Sequence, residues 1–217
     1  QVAFGRTGVA NMIIIGPRDD AAGALLVASL AGLLSTSGAA GPERIWWLGQ
    51  VSASENSLSS IAQRLGGARL TVAGPPAAAQ AIDDALALVE YRRDAAEPAP
   101  PAFVVLAGVH FLRTLWKREE DYSFGSDSES SASRKLLRLL RDGPSLGVHV
   151  VAWIDSAANL RRTMEREAIG EFGHRVLFQM SGQDSSLIID SPEASRLGLW
   201  RAILMDAEGG TLEKFRP

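Results

Sequence analysis

The sequence predicts an α/β domain built on a largely parallel sheet, and three observations carry that prediction. Short apolar runs rich in Ile, Val and Trp alternate with longer stretches of helical periodicity. The stretch NMIIIGPRDDAAGALLVASLAGLL, from Asn11, reads as strand, glycine turn and long apolar helix, the layout of a phosphate-binding loop. Two β-rich segments then close the chain around DAEGG, a hairpin signature.

The elements follow in order. Met12–Ile15 is the first strand, and Asp19 or Asp20 is placed to cap a helix over Ala21–Ser35. GAAGPE makes a turn into the strand Arg44–Leu48, and Ser57–Leu65 is helical, stopped by Gly66-Gly67. Arg69–Val72 is a short strand. Ala77–Arg93 carries apolar residues at 78, 81, 82, 85, 86, 88 and 89, one face of a helix. After the linker DAAEPAPPA comes the buried strand Phe103–Leu106, then helical Phe111–Trp116. The stretch 117–133 is polar and serine-rich and is expected to be a mobile surface loop. Arg134–Arg141 is a basic amphipathic helix stopped by DGP, Val148–Trp153 a buried strand, and Leu160–Phe172 a charged helix. Arg175–Phe178 is a strand, Asp184–Asp190 a short helix, and Ala202–Met205 with Thr211–Phe215 form the hairpin.

With 217 residues, 46% of them hydrophobic, the chain fits one domain (1–217) with a sizeable core. It opens on Gln1 and closes on LEKFRP, which predicts a domain excised from a longer multidomain protein. A net charge of −3 gives no broad basic field to attract nucleic acid or anionic lipid. The absence of cysteine excludes disulfides and thiolate metal sites, and three scattered histidines offer no ligand spacing. No signal peptide is evident, and the apolar run Met12–Leu34 is interrupted by Gly16–Asp20. The expected location is the cytoplasm, any membrane attachment being left to the rest of the parent chain.

From Leu136 onward the chain resembles the FtsK/SpoIIIE-type motor ATPases. The resemblance is carried by LLRLLRDGPSLGVHVVAW and FGHRVLFQMSGQDSSLIIDSPEASRLG. In that family a helix of the form LRxLLRxGRxxGIH leads into a strand ending in a sensor glutamine. A strand like RIAFRVSS follows, then DSRTILD, then a small residue-Glu-x-Leu-Leu-Gly. Leu137–Val151 and Arg175–Gly198 match that order, spacing and residue class. NMIIIGPRDDAAGALLVASLAGLL then falls at the Walker A element and PAFVVLAGVHFL at Walker B. The resemblance implies a RecA-like P-loop NTPase fold, with ATP and Mg as the cofactors of its active members. It also implies partners among other ATPase domains of the same parent chain or ring, with a protein substrate or DNA reached through the parent.

The residues that perform the chemistry are missing. A working P-loop is GxxxxGK[ST]: its backbone N–H groups face phosphate, its lysine meets the β/γ-phosphates and its hydroxyl holds Mg²⁺. Counted from Gly16, Ala21 stands at the second glycine, Ala22 at the lysine and Gly23 at the Ser/Thr. Asp19 and Asp20 put two carboxylates at a helix N-terminus that otherwise favours an anion, and one like-charge contact there costs roughly 4 kcal/mol. The two aspartates are read as taking the anion's place. Arg18 is read either as a surface arginine or as a partner for an anion. Walker B needs an acid after its strand, where this chain has Ala107-Gly108, with His110 two residues on. Ile154-Asp155-Ser156 stands at the sensor, and Asp184-Ser185-Ser186 lacks the arginine of DSR. Arg175 matches an arginine of the family and is open to an interface or a structural role. The basic helix, through Arg134 and Arg138, either meets a partner or phosphate backbone or is a solvated face. Ser185, His174 and Asp190 show no nucleophile-elbow pattern.

These losses lie in separate elements and agree. The resulting expectation is a catalytically inactive ATPase-like domain without cofactor or metal, kept for a structural, regulatory or partner-binding role. Two alternatives stand beside it. One is an ATP-binding DNA-translocase motor with an atypical nucleotide site; the other is a Rossmann-like adaptor unrelated to motors, which sheet order would distinguish.

Overall fold

The strands expected to be buried carry continuous apolar runs, and burial on both faces is the reason. In the computed structural model, which describes residues 2–6, 8–35, 41–50, 57–95, 99–117 and 131–217, β1 (Met12–Ile15), β4 (Ala102–Ala107) and β5 (Val148–Ile154) are buried at every position. β2 (Arg44–Gly49) is exposed only at Arg44. This is the pattern of a parallel sheet covered on both sides. With β3 (Leu70–Ala73), β6 (His174–Leu177), β7 (Ala202–Asp206) and β8 (Thr211–Phe215), the described residues form an eight-stranded sheet of order β3-β2-β4-β5-β1-β6-β7-β8. The first six strands of that order pair in parallel. β7 and β8 are antiparallel, so the C-terminal hairpin extends the sheet edge. At its turn, Asp206 Oδ1 accepts the amides of Glu208 and Gly209 at 3.1 and 3.3 Å.

Sheet order separates the adaptor alternative from the motor fold. In a Rossmann sheet β1 neighbours β2, and in a flavodoxin-like sheet β1 lies between β2 and β3. Here β1 lies between β5 and β6, with two strands, β4 and β5, separating it from β2.

The pleat divides the core into two layers. Met12 and Ile14 face α1 (Asp19–Ser35) and α2 (Leu58–Gly66), with Trp47, Phe103 and Trp153. Ile13 and Ile15 face α3 (Ala78–Arg93), α4 (Ala132–Asp142), α5 (Ala157–Thr163), α6 (Arg166–Gly170) and α7 (Gly182–Ile189). Asn11 fastens the second layer to the sheet. Its Nδ2 donates to the carbonyls of Leu140 and Glu171, both at 2.9 Å, and its Oδ1 accepts the Val150 amide at 2.8 Å. Each half of the buried side-chain amide is thereby satisfied.

Two expected helices differ. Phe111–Trp116 forms parts of two 3-10 turns, Val109–Phe111 and Arg113–Leu115, rather than one α-helix. The left-handed backbone of Gly108, φ +98°, aims the chain away from a helical path. Leu160–Phe172 is split: α5 opens earlier, on a Ser156 cap, and ends where extended Met164 drops into the core; α6 then covers 166–170. The stretch 117–133 lies outside the described residues except at its ends, where Ser131 caps α4. Residues 38–40 of the expected turn and 96–98 of the linker lie outside them too.

Candidate functional site: the cleft at the ends of β1, β4 and β5

Parallel register brings Ile15 beside Ile154 and Ala107 beside Trp153. Gly16, Ala107-Gly108 and Asp155 therefore meet at one edge of the sheet, where strand C-termini in open α/β sheets converge on ligand sites. Gly16 is required by close approach: its φ is +152°, and a Cβ there would lie 2.6 Å from Phe178 Cβ. Its amide donates to the Ile154 carbonyl at 3.0 Å, and its carbonyl accepts Trp153 Nε1 at 3.1 Å.

After Gly16 only Pro17 and Arg18 precede α1. The Ala22 amide donates to the Arg18 carbonyl at 2.8 Å and so is already inside the helix. Ala21, Ala22 and Gly23 lie on the packed face of α1, with Ala22 at 0% exposure. A Cβ on Gly23 would meet Leu58 Cδ2 of α2 at 2.8 Å. These three aligned positions therefore point into the core, not into the cleft.

Asp19 and Asp20 occupy the first turn of α1 rather than the position before it. Asp20 accepts Arg18 Nη2 at 2.6 Å and Nε at 3.2 Å. This contact, reinforced by the Ala21 backbone, holds the Asp20 carboxyl below the usual carboxylate range. On its other side the Arg18 guanidinium lies 3.4 Å from the ring centroid of Trp200. Trp200 has a positive φ of 64°, a backbone conformation costly for a bulky residue. No sequence signal marks this Trp200–Arg18–Asp20 stack.

At the end of β4, Ala107 and Gly108 carry no polar side chain. His110 turns toward β5 instead, with Nδ1 3.8 Å from Asp155 Oδ1 and its ring edge-on to Trp153 at 5.0 Å. Burial lowers the His110 pKa, while Asp155 and Asp19 oppose that shift. Asp155 is held in place: Asn159 Nδ2 donates to its two oxygens at 2.8 and 2.9 Å, and Ser156 Oγ donates at 3.2 Å. Asp20 and Asp155 are thus each offset by donors within the chain. Among the described residues no cluster of three His, Asp or Glu side chains is arranged to hold a metal.

The arginines singled out from the sequence lie elsewhere. α4 is knitted to its neighbours: Lys135 to Asp83 at 2.7 Å, Arg138 to Glu90 and Asp142, Arg141 to Glu167 at 2.8 Å and Glu171 at 3.1 Å. The face at 135, 138 and 141 is therefore charge-matched by α3, α4 and α6, not open to phosphate. Arg134 sits in the first turn, its amide donating to the Ser131 cap at 3.3 Å. Arg175 donates to the Phe172 and Ile188 carbonyls at 2.8 and 2.5 Å, and burial lowers its pKa. Those contacts tie β6 to α7. Ser185 is buried against the Ser191 carbonyl and the Ala194 amide. A separate cavity of about 740 Å³, lined by Phe4, Met12, Leu25, Leu33, Phe103 and Phe215, lies beside α1 away from these residues.

No family model matches the sequence, and no curated protein sequence does either. Solved structures do match the fold. The cytoplasmic domain of the type VII secretion ATPase EccC from Thermomonospora curvata superposes with TM-score 0.63 and 16% identity over 98% of this chain. The cytoplasmic domain of EssC gives TM-score 0.61 and 16% identity over 95%. The DNA-packaging ATPase B204 of Sulfolobus turreted icosahedral virus gives TM-score 0.63 and 9% identity over 99% of each chain. This chain spans 25% of the EccC chain and 37% of the EssC chain. Its fold is the RecA-like P-loop fold of these ATPase domains.

Proposed function

We propose that this chain is an FtsK/SpoIIIE-type ATPase-like domain that has lost nucleotide chemistry and serves as a partner-binding module of a larger cytoplasmic motor protein. The observation that carries the reading is the link from β1 to α1. A P-loop sets four residues between its first glycine and its Gly-Lys pair; here the helix opens three residues after Gly16, and its Ala22 amide is already bonded. Ala22 has no exposed surface from which a side chain could reach a phosphate. The β4 end offers no carboxylate for a metal, and Arg18 is engaged by Asp20 and Trp200. The cleft does not fit a magnesium-bound triphosphate.

The partner in this reading is a neighbouring ATPase domain of the same parent chain or ring, which presents an arginine to Asp19 and Asp155. EccC and EssC support it, since this chain spans only 25% and 37% of theirs. Isothermal titration with Mg-ATP tests the loss of nucleotide chemistry. Millimolar affinity or none is expected, with no hydrolysis; a micromolar dissociation constant overturns it. The competing reading, an ATP-binding DNA-translocase motor, draws support from the likeness to the genome packaging NTPase B204 of Sulfolobus turreted icosahedral virus 2, solved in complex with ATP-γS. The same titration decides between them.

A further inference from the structure

Where arginines of this fold lie near carboxylates, they take them. Arg161 on α5 turns to Asp184 at 2.6 Å, and Arg93 and Arg138 share Glu90 and Asp142. Arg113 and Arg162 are different. Arg113 opens the second 3-10 turn after β4, and Arg162 lies in the last turn of α5. Both are exposed, and neither has an ion pair among the described residues. Instead both guanidiniums lie against one ring, that of Trp116, at 5.8 and 5.1 Å from its centroid.

The ring itself is fixed. Trp116 Nε1 donates to the Val109 carbonyl at 3.0 Å, and its amide donates to Arg113 O at 3.2 Å. The Lys117 amide then donates to Thr163 O at 3.0 Å, which stitches the segment after β4 to the end of α5. A guanidinium resting on an aromatic face keeps its N–H groups available in the ring plane of the cation, and that fork matches a carboxylate bidentately.

We propose that Arg113 and Arg162, seated on Trp116, form a docking site for an acidic segment of a protein partner. Charge complementarity selects the occupant: two pre-oriented guanidiniums with no ion pair among the described residues, and an adjoining Lys117, call for carboxylates. Nucleic acid fits less well. The Trp116 ring is occupied by the two guanidiniums and so does not offer a face for a stacked base, and the net charge of −3 supplies no wider field for a phosphate backbone. The site does not depend on the state of the nucleotide cleft.

The test uses the 217-residue chain and fluorescence anisotropy with three probes: a labelled peptide alternating Glu and Gly, its Gln-for-Glu counterpart, and single-stranded oligothymidine. The Glu peptide is expected to bind saturably and to weaken with salt, while the Gln peptide does not bind. The double variant Arg113→Ala/Arg162→Ala is expected to lose about tenfold or more in affinity with unchanged circular dichroism. Arg64→Ala, on the opposite face, leaves binding unchanged. If the double variant melts early, Arg162→Gln alone is read instead, with a smaller loss expected. The proposal is overturned by absence of saturation up to about 1 mM peptide, or by equal affinity in wild type and variant. Tighter binding of oligothymidine that the same substitutions abolish replaces it with a nucleic-acid site.

Discussion

His149 is a base that the fold holds neutral. It sits on β5 at 1% exposure, with Nδ1 donating to the Ala10 carbonyl at 2.8 Å and the rings of Phe4 and Phe103 alongside. Burial depresses its pKa from 6.5 to about 4; the Ala10 contact opposes that shift, and Arg6 and Arg92 add to it. The unfolded chain therefore takes up a proton at a higher pH than the folded one. The stability contributed is complete above about pH 6.5 and is lost as pH falls toward about 4, by up to about 3 kcal/mol. Burial shifts His110 in the same direction. Urea unfolding at about pH 7.5 and about pH 4.5 of wild type and His149→Gln checks this: the stability advantage of the wild type should narrow in acid, and a gap independent of pH refutes the assignment. Single residues are also where the sequence was least legible. A tryptophan at φ 64° that stacks on an arginine 182 positions upstream leaves no pattern in composition or periodicity, because only tertiary contact holds Trp200 there. Gly16, by contrast, was legible as a turn glycine, since close backbone approach to Phe178 leaves room for no other residue.

In the β1–turn–α1 element the helix opens three residues after Gly16, so on the proposed reading the residue types of a phosphate loop would not suffice without its length. Replacing Asp20, Ala21, Ala22 and Gly23 with Ser, Gly, Lys and Thr would supply the motif letters but not the loop. The lysine would enter a position with no exposed surface, and burying an unpaired ammonium costs several kcal/mol. The threonine would press on Leu58, already 2.8 Å from the place of a Cβ. The fourfold variant is expected to melt at lower temperature than wild type and to gain nothing from Mg-ATP; a melting temperature raised by nucleotide would show that the loop can reopen. Element identity was otherwise well marked in the sequence. Fully buried strands such as Val148–Ile154 read as uninterrupted apolar runs, and the Ser57 and Gly66-Gly67 boundaries of α2 fell where side-chain capping and glycine predict them. What failed was continuity: helical periodicity across Leu160–Phe172 is real, but Met164 takes an extended backbone to reach the core and divides it. The site was legible as a location, the ends of three strands. Its contents were not, because the Asn159 clamp on Asp155 depends on where α5 begins.

Across the whole molecule charge is sorted by face, and the sorting decides which surface is free for a partner. On the α3–α4–α6 side Lys135, Arg138 and Arg141 are matched by carboxylates, in exposed pairs that each contribute about 0.2–1 kcal/mol. At the cleft, Asp20 is engaged by Arg18 and Asp155 by Asn159, so Asp19 is the exposed carboxylate with no ion pair among the described residues. An arginine arriving from a neighbouring domain would meet Asp19 first, with Asp155 and His110 beyond it. If the partner is the neighbouring ATPase domain proposed above, Asp19→Lys should weaken its association with this chain by about tenfold. The comparison on the other face must be chosen with its own contacts in mind. Arg138→Glu would set a carboxylate against Glu90 and Asp142 and disturb the fold itself, whereas Arg134 is half-buried in the first turn of α4, where the helix dipole favours a carboxylate. Arg134→Glu is therefore the fair control and should change association less than Asp19→Lys. Biolayer interferometry between the two domains, with thermal melts of each variant to confirm folding, measures the ranking. If Arg134→Glu proves the more damaging substitution while both variants melt like wild type, α4 and not the cleft is the surface that meets the partner.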